Sequence, residues 1–226
     1  LAAWPWIVAS AIIHLFYFAA LIESYRTGDL GQVYPIARGS APLMTAVTSL
    51  VFVGERLSAL SWIGIAILAF GVLLLSVRGG RKLAHVDKRP VGFALLTALI
   101  ISVYYVVDGI GARASLNAQS YVLWLFVGIA IVLPPYALWR DRGGVEAAAR
   151  RFWLRGLAGG ALQTFSYGVA VWAMTLAPIA VVVALRETSV LFGAVIAVIV
   201  LKEPLRLTRI GAALLILCGL VLIRLQ

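Results

Sequence analysis

A single cysteine, Cys218, is all the sequence holds, which excludes an intramolecular disulfide framework. Charge is scarce as well: 12% of the residues are charged, with 9 acidic against 19 basic. Against this stand 63% hydrophobic residues and a mean hydropathy of +1.03. So little polar surface cannot coat a water-soluble fold, and the composition is that of a polytopic membrane protein. Other absences bear on function. There is no Walker A loop, so ATP drive within the chain is not expected, and no Gly-x-Ser-x-Gly or His-Glu-x-x-His pattern. No cleavable signal peptide, soluble module or low-complexity tail is visible. The net charge of +10 does not point to nucleic acid, because the cations sit in loops between apolar runs, where membrane topology accounts for them.

Eight apolar runs are long enough to cross a hydrocarbon layer about 30 Å thick, which takes roughly 20 helical residues. They cover 4–25, 33–53, 59–77, 91–112, 120–139, 155–176, 179–201 and 207–224. Each is expected to be helical, since backbone groups in lipid find no water to bond. The two longer connections, 78–90 and 140–154, are the most charged, and Val145 to Trp153 suits a short amphipathic surface helix. Most of the Lys and Arg residues fall on one face, including Arg26, Arg81, Arg142, Arg155 and Lys202. The positive-inside rule makes that face cytoplasmic and puts both ends of this chain outside.

The second run contains Arg38 between Pro35 and Pro42. An arginine at membrane depth costs a few kcal/mol or more and normally faces a protein interior or a watery cavity. The sequence repeats this feature. Arg38, Leu43, Ala46, Glu55, Leu57 and Gly71 recur at unchanged spacing as Arg186, Leu191, Ala194, Glu203, Leu205 and Gly219. An odd number of spans separates the copies, so the second runs through the bilayer inverted, the build of many secondary transporters. The expected architecture is therefore all-α, with domains 1–77 (three helices left of a first repeat), a basic connection 78–90, and a second five-helix repeat over 91–226.

Other polar groups inside the spans are candidates to line a substrate pathway. His14 and Tyr17 lie in the first span, with Gln163 and Tyr167 at nearly matching places in the sixth. In the second span Pro42 has no N–H to give the carbonyl of Arg38, so a kink and a polar spot beside Ser40 are expected, with Tyr34 nearby. The fourth span holds Tyr104, Tyr105 and Asp108, and the seventh holds Arg186 and Glu187. Similar depths suggest that Asp108 pairs with Arg186, and that Glu23 pairs with Arg38. Gly64 and Gly71 in the third span, echoed by Gly211 and Gly219 in the eighth, suit close helix approach.

The run Gly28-Asp-Leu-Gly-Gln-Val-Tyr-Pro-Ile-Ala-Arg-Gly-Ser-Ala-Pro42 leads to Gly54-Glu55-Arg56-Leu57-Ser58, and Leu185-Arg-Glu-Thr-Ser-Val-Leu191 leads to Lys202-Glu203. With Leu176-Ala-Pro-Ile-Ala, this resembles the EamA family of the drug/metabolite transporter superfamily over essentially the whole chain. The resemblance implies ten helices in two inverted five-helix repeats around a central cavity, and export of small metabolites. Eight spans are visible here, as though the first two were missing.

The reading that results is a secondary transporter, an exporter working by alternating access in the bacterial inner membrane. Its partners are a small-molecule substrate and the lipid bilayer, with no cofactor, no metal and no nucleic acid. Arg38 and Arg186 would hold an anionic group or lock the gates, and Asp108 or Glu187 would carry a proton if transport is proton-coupled. A homodimer stays open, as do a non-transporting assembly subunit and an intramembrane lipid-acting enzyme using His14 and Asp108.

Overall fold

In the computed structural model the described residues are 2–27, 30–76, 88–199, 202 and 207–225, with the side chains of 24–27, 30–35, 75, 76, 88, 89, 194, 197 and 198 left aside. Among them there are helices and turns but no strand. The helices are α1 (Trp4–Thr27), α2 (Leu30–Val53), α3 (Ala59–Ser76), α4 (Lys88–Ala114), α5 (Ala118–Ala173), α6 (Ile179–Arg186), α7 (Thr188–Ile199) and α8 (Leu207–Arg224). Among the described residues, five segments are long and apolar enough to cross a membrane: Trp4–Glu23, Ile36–Val53, Pro90–Ala114, Ala118–Ala173 and Leu207–Arg224.

Two of the expected spans are drawn differently by the backbone. The seventh span is interrupted: α6 ends at Arg186, and Glu187 turns its N–H back to the carbonyls of Ala184 and Leu185 before α7 begins. The fifth and sixth spans lie within α5, which continues through Pro134 and Pro135 and is divided between the two spans. Its breaks come later, at Asp141 (φ −154°, ψ 78°) and Phe152 (φ −122°, ψ 15°). Asp141 explains the first, because its Oδ1 accepts the Gly144 N–H at 3.0 Å and so caps a new helical stretch. The exposed Arg142–Glu146 pair at 2.8 Å then runs along that stretch, and the Arg151 and Arg155 guanidiniums lie 5.2 and 5.8 Å from the Phe152 ring. This is the region that the sequence marks for an amphipathic surface segment.

The chain divides into two compact units, Leu1–Phe16 with Val107–Ala177, and Tyr17–Val106 with Pro178–Gln226. In the first unit, the end of α4 turns through Ser115 into α5, whose start is capped by the Asn117 side chain accepting from the N–H groups of Gln119 and Ser120. Arg113 closes the other end of α5 by donating from Nε to Met174 O at 2.9 Å and from Nη2 to Ala177 O at 3.1 Å. Trp4 of α1 packs against Trp124 of α5, with ring centroids 5.1 Å apart.

In the second unit, α3 lies along α8 and α2 packs on α3 and α6. Ala46, Ile65, Leu68, Val72, Ala180, Ala184 and Ile216 form its core. Lipid is as apolar as these side chains, so contact density rather than water exclusion must hold such helices together, and small residues allow it. The sequence places them where they are needed. A Cβ on Gly64 would fall 2.7 Å from Gly219 O, and a Cβ on Gly71 2.8 Å from Ile216 Cγ1. Gly211, by contrast, meets nothing within 4 Å.

Candidate functional site

The first unit buries a polar cluster. Asp108 on α4 is fully enclosed and accepts the Tyr121 hydroxyl on Oδ1 at 2.9 Å and the Tyr167 hydroxyl on Oδ2 through a short bond. Ser10 of α1 lies close to the same carboxylate. One helical turn after Ser10, His14 places Nδ1 2.9 Å from the Ser10 carbonyl and 3.2 Å from its hydroxyl oxygen. A carbonyl only accepts, so Nδ1 carries a hydrogen and cannot draw the proton from the Ser10 hydroxyl. The ring of Tyr167 meets His14 edge to face at 6.3 Å.

Local structure makes this meeting unavoidable. The α4–α5 turn is tight, so residues at similar distances from it face each other, and Tyr121 comes opposite Asp108. Gly111 gives the phenol room: a Cβ there would lie 2.5 Å from Tyr121 Cε2. Tyr121 and Ser10 are not among the residues that the sequence singles out. The only signals for them are a hairpin-length connection and the one-turn spacing of Ser10 to His14. Gln163, expected beside Tyr167, is exposed on α5 instead.

The second unit assembles the charges. Arg38 Nη2 lies 3.2 Å from Glu187 Oε1, a partner that the sequence reading did not name for it. The other Glu187 oxygen, Oε2, is buried without a hydrogen-bond partner. Arg186 donates from Nη1 to the Tyr105 hydroxyl at 2.6 Å and lies 5.4 Å from that ring's centroid. Asp108, expected from matching depths to pair with Arg186, takes its hydrogen bonds within the first unit, from Tyr121 and Tyr167. Tyr104 stacks on Tyr105 at 4.6 Å and on Tyr17 at 5.6 Å. These charges are held at one break in a helix, between α6 and α7.

The backbone of α2 is positioned by close packing. A Cβ on Gly39 would lie 2.9 Å from Leu73 Cγ and 3.2 Å from Ala69 O, so α2 rests on α3 next to Arg38. The helix runs on through Pro42, which is buried, with Ser40 half-buried. The side chains of Tyr34 and Pro35, and all of Glu203, lie outside the described residues. Glu55 joins two helices, for its Oε2 accepts the Ile179 N–H at 2.8 Å. The residue at the N-cap of α6, Pro178, offers no side-chain bond, so Glu55 supplies the cap from the end of α2. Glu55→Ala is expected to cost about 1–2 kcal/mol and Glu55→Gln much less, since the amide oxygen still accepts. Thermal unfolding of the two variants checks this.

Elsewhere in the first unit, an open cavity of about 520 Å³ is lined by Arg113, Ser115, Asn117, Gln119, Trp172 and Thr175. None of the residues singled out from the sequence lines it. Among the described residues, no group of three or more His, Cys, Asp or Glu side chains could hold a metal ion.

The sequence model of the EamA-like transporter family matches residues 88–225. The chain belongs to the EamA-like transporter family. It is also 37% identical over 70 residues to an uncharacterized transporter in the cobO 3' region of Sinorhizobium sp.. That match spans 31% of this chain and 46% of the relative, so the chain spans about half the length of the curated relative it matches. Within the EamA match lie Asp108, Tyr121, Tyr167, Arg186 and Glu187.

Proposed function

We propose that the intact protein is a secondary active transporter that exports a small polar or amphipathic metabolite across the bacterial inner membrane by alternating access. Eight helices of two inverted five-helix repeats are the architecture this reading assumes, with the two repeats rocking against each other. The substrate carries an anionic group, met by Arg38 and Arg186. The observation that supports this most is the interruption between α6 and α7, where Glu187 meets Arg38 and Arg186 reaches Tyr105. Interrupted helices leave backbone and charge available in the membrane only where they are buried in protein or line a cavity, and such breaks are where transporters of this build hold their substrates.

The test uses the full-length protein in proteoliposomes and exchange of a panel of radiolabelled anionic metabolites. Substituting Arg38→Ala together with Arg186→Ala is expected to reduce exchange about 30-fold or more, because two charged contacts to the substrate are lost at once. Unchanged exchange in the folded double variant would remove the basis of the assignment.

A further inference from the structure

We propose that the Asp108 cluster of the first unit is a proton-binding site that holds one exchangeable proton inside the membrane. The inference rests on the geometry of that unit alone and stands or falls independently of the transport reading.

Charge balance limits the states open to the cluster. Ser10, His14, Asp108, Tyr121 and Tyr167 are all less than a tenth exposed. A bare carboxylate in such a place is costly, even with hydroxyl donors on both oxygens. The groups that face Asp108 are Ser10 and His14 from α1, and Tyr121 and Tyr167 from the two ends of α5. Three of these are neutral hydroxyls. Only His14 can supply a compensating positive charge. Neutrality is therefore reached in two ways, as carboxylate with imidazolium or as carboxylic acid with neutral imidazole. Both contain the same one proton, and it belongs to the pair rather than to either residue.

The hydrogen bonds show how such a proton is accommodated. Hydroxyls can turn round, so Tyr121 and Tyr167 donate to a carboxylate and one of them can accept from a carboxylic acid without moving a heavy atom. His14 keeps its Nδ1 hydrogen on the Ser10 carbonyl, which fixes the ring beside the carboxyl group. A purely structural knot needs no such freedom. An asparagine at position 108 could serve a structural role, and this gives the test its contrast.

The measurement is the infrared pH-difference spectrum of the full-length protein in lipid bilayers, recorded between roughly pH 4 and pH 10, the range that spans carboxylate and imidazole titration. The wild-type protein is expected to show a carboxyl band that is lost in Asp108→Asn. In Tyr121→Phe and in Tyr167→Phe the same band is expected to persist at a shifted frequency, because the carboxyl has lost one donor. His14→Gln is expected to move the pH at which the band changes, with the proton then confined to Asp108. If the difference spectra of wild type, Asp108→Asn and both phenylalanine variants coincide, the site does not titrate and the proposal is wrong. Should Asp108→Asn fail to fold, the two phenylalanine variants still decide between these outcomes. Loss of exchange in the arginine double variant would leave these spectra unaffected, so the two readings fail separately.

Discussion

Gly219→Val is expected to lower the stability of the protein by about 3 kcal/mol or more. A Cβ there would fall 2.6 Å from Gly64 O, 2.9 Å from Leu68 Cβ and 2.9 Å from Leu68 N. Two of those three atoms belong to the backbone of α3, which cannot rotate away as a long side chain could. The helices must separate instead, and the contacts of Leu68, Ile216 and Ile223 along the seam go with them. Gly64→Val is expected to act alike, since its Cβ would meet Gly219 O at 2.7 Å and Ile223 N at 3.1 Å. Gly211→Ala on the same α8 is the control: with nothing within 4 Å of its Cβ, it should be neutral or slightly stabilising through helix propensity. Thermal unfolding in detergent of the three variants decides the matter. Equal melting temperatures for Gly219→Val and Gly211→Ala would mean that α3 and α8 do not pack as described.

Arg38→Met is expected to cost about 3 kcal/mol, while the double variant Arg38→Met with Glu187→Gln recovers most of that loss. Glu187 is 1% exposed and Arg38 19%. Among the described residues one carboxylate oxygen lacks a hydrogen-bond partner and the other meets Arg38, so removing the guanidinium takes that partner away. Breaking a buried pair leaves an uncompensated charge, whereas replacing both members removes the desolvation penalty together with the attraction. The partial exposure of Arg38 puts the single-variant loss at the lower end of the range for buried pairs. A double-mutant cycle on thermal or denaturant unfolding measures the coupling. Additive losses would show that the 3.2 Å contact carries no energy and that Arg38 is held by other groups.

The sequence made the rare polar groups legible for a physical reason. Placing His14, Arg38, Asp108, Arg186 or Glu187 in an apolar run is expensive, so each one marks a place where the protein supplies a partner. It also made the small residues legible, and three of the four glycines noted in the third and eighth spans do sit at the α3–α8 contact. What it did not disclose was who partners whom. Depth along a helix is a one-dimensional coordinate, and matching depths suggest Asp108 with Arg186 and Glu23 with Arg38. Rotation about each helix axis decides the partner, and it brings Tyr121 and Tyr167 to Asp108 and Glu187 to Arg38. Ser10 and Tyr121 escape notice because a serine or tyrosine in an apolar helix is common enough to carry no signal by itself.

Helix continuity has the same limit. The expected fifth span, 120–139, takes in Pro134 and Pro135, and α5 runs through them and breaks at Asp141, where a side chain offers an alternative bond to the backbone. Conversely, the run from 179 to 201 reads as one helix, and it is divided at Glu187. Apolar content alone determined that this chain is made of helices in a membrane, because neither its surface nor its backbone can be satisfied otherwise. The pairing of its few charges, and the place where a helix stops, were decided by the packing of segments far apart in the chain, since a buried polar group takes its partner from whichever neighbour the fold brings within about 3 Å.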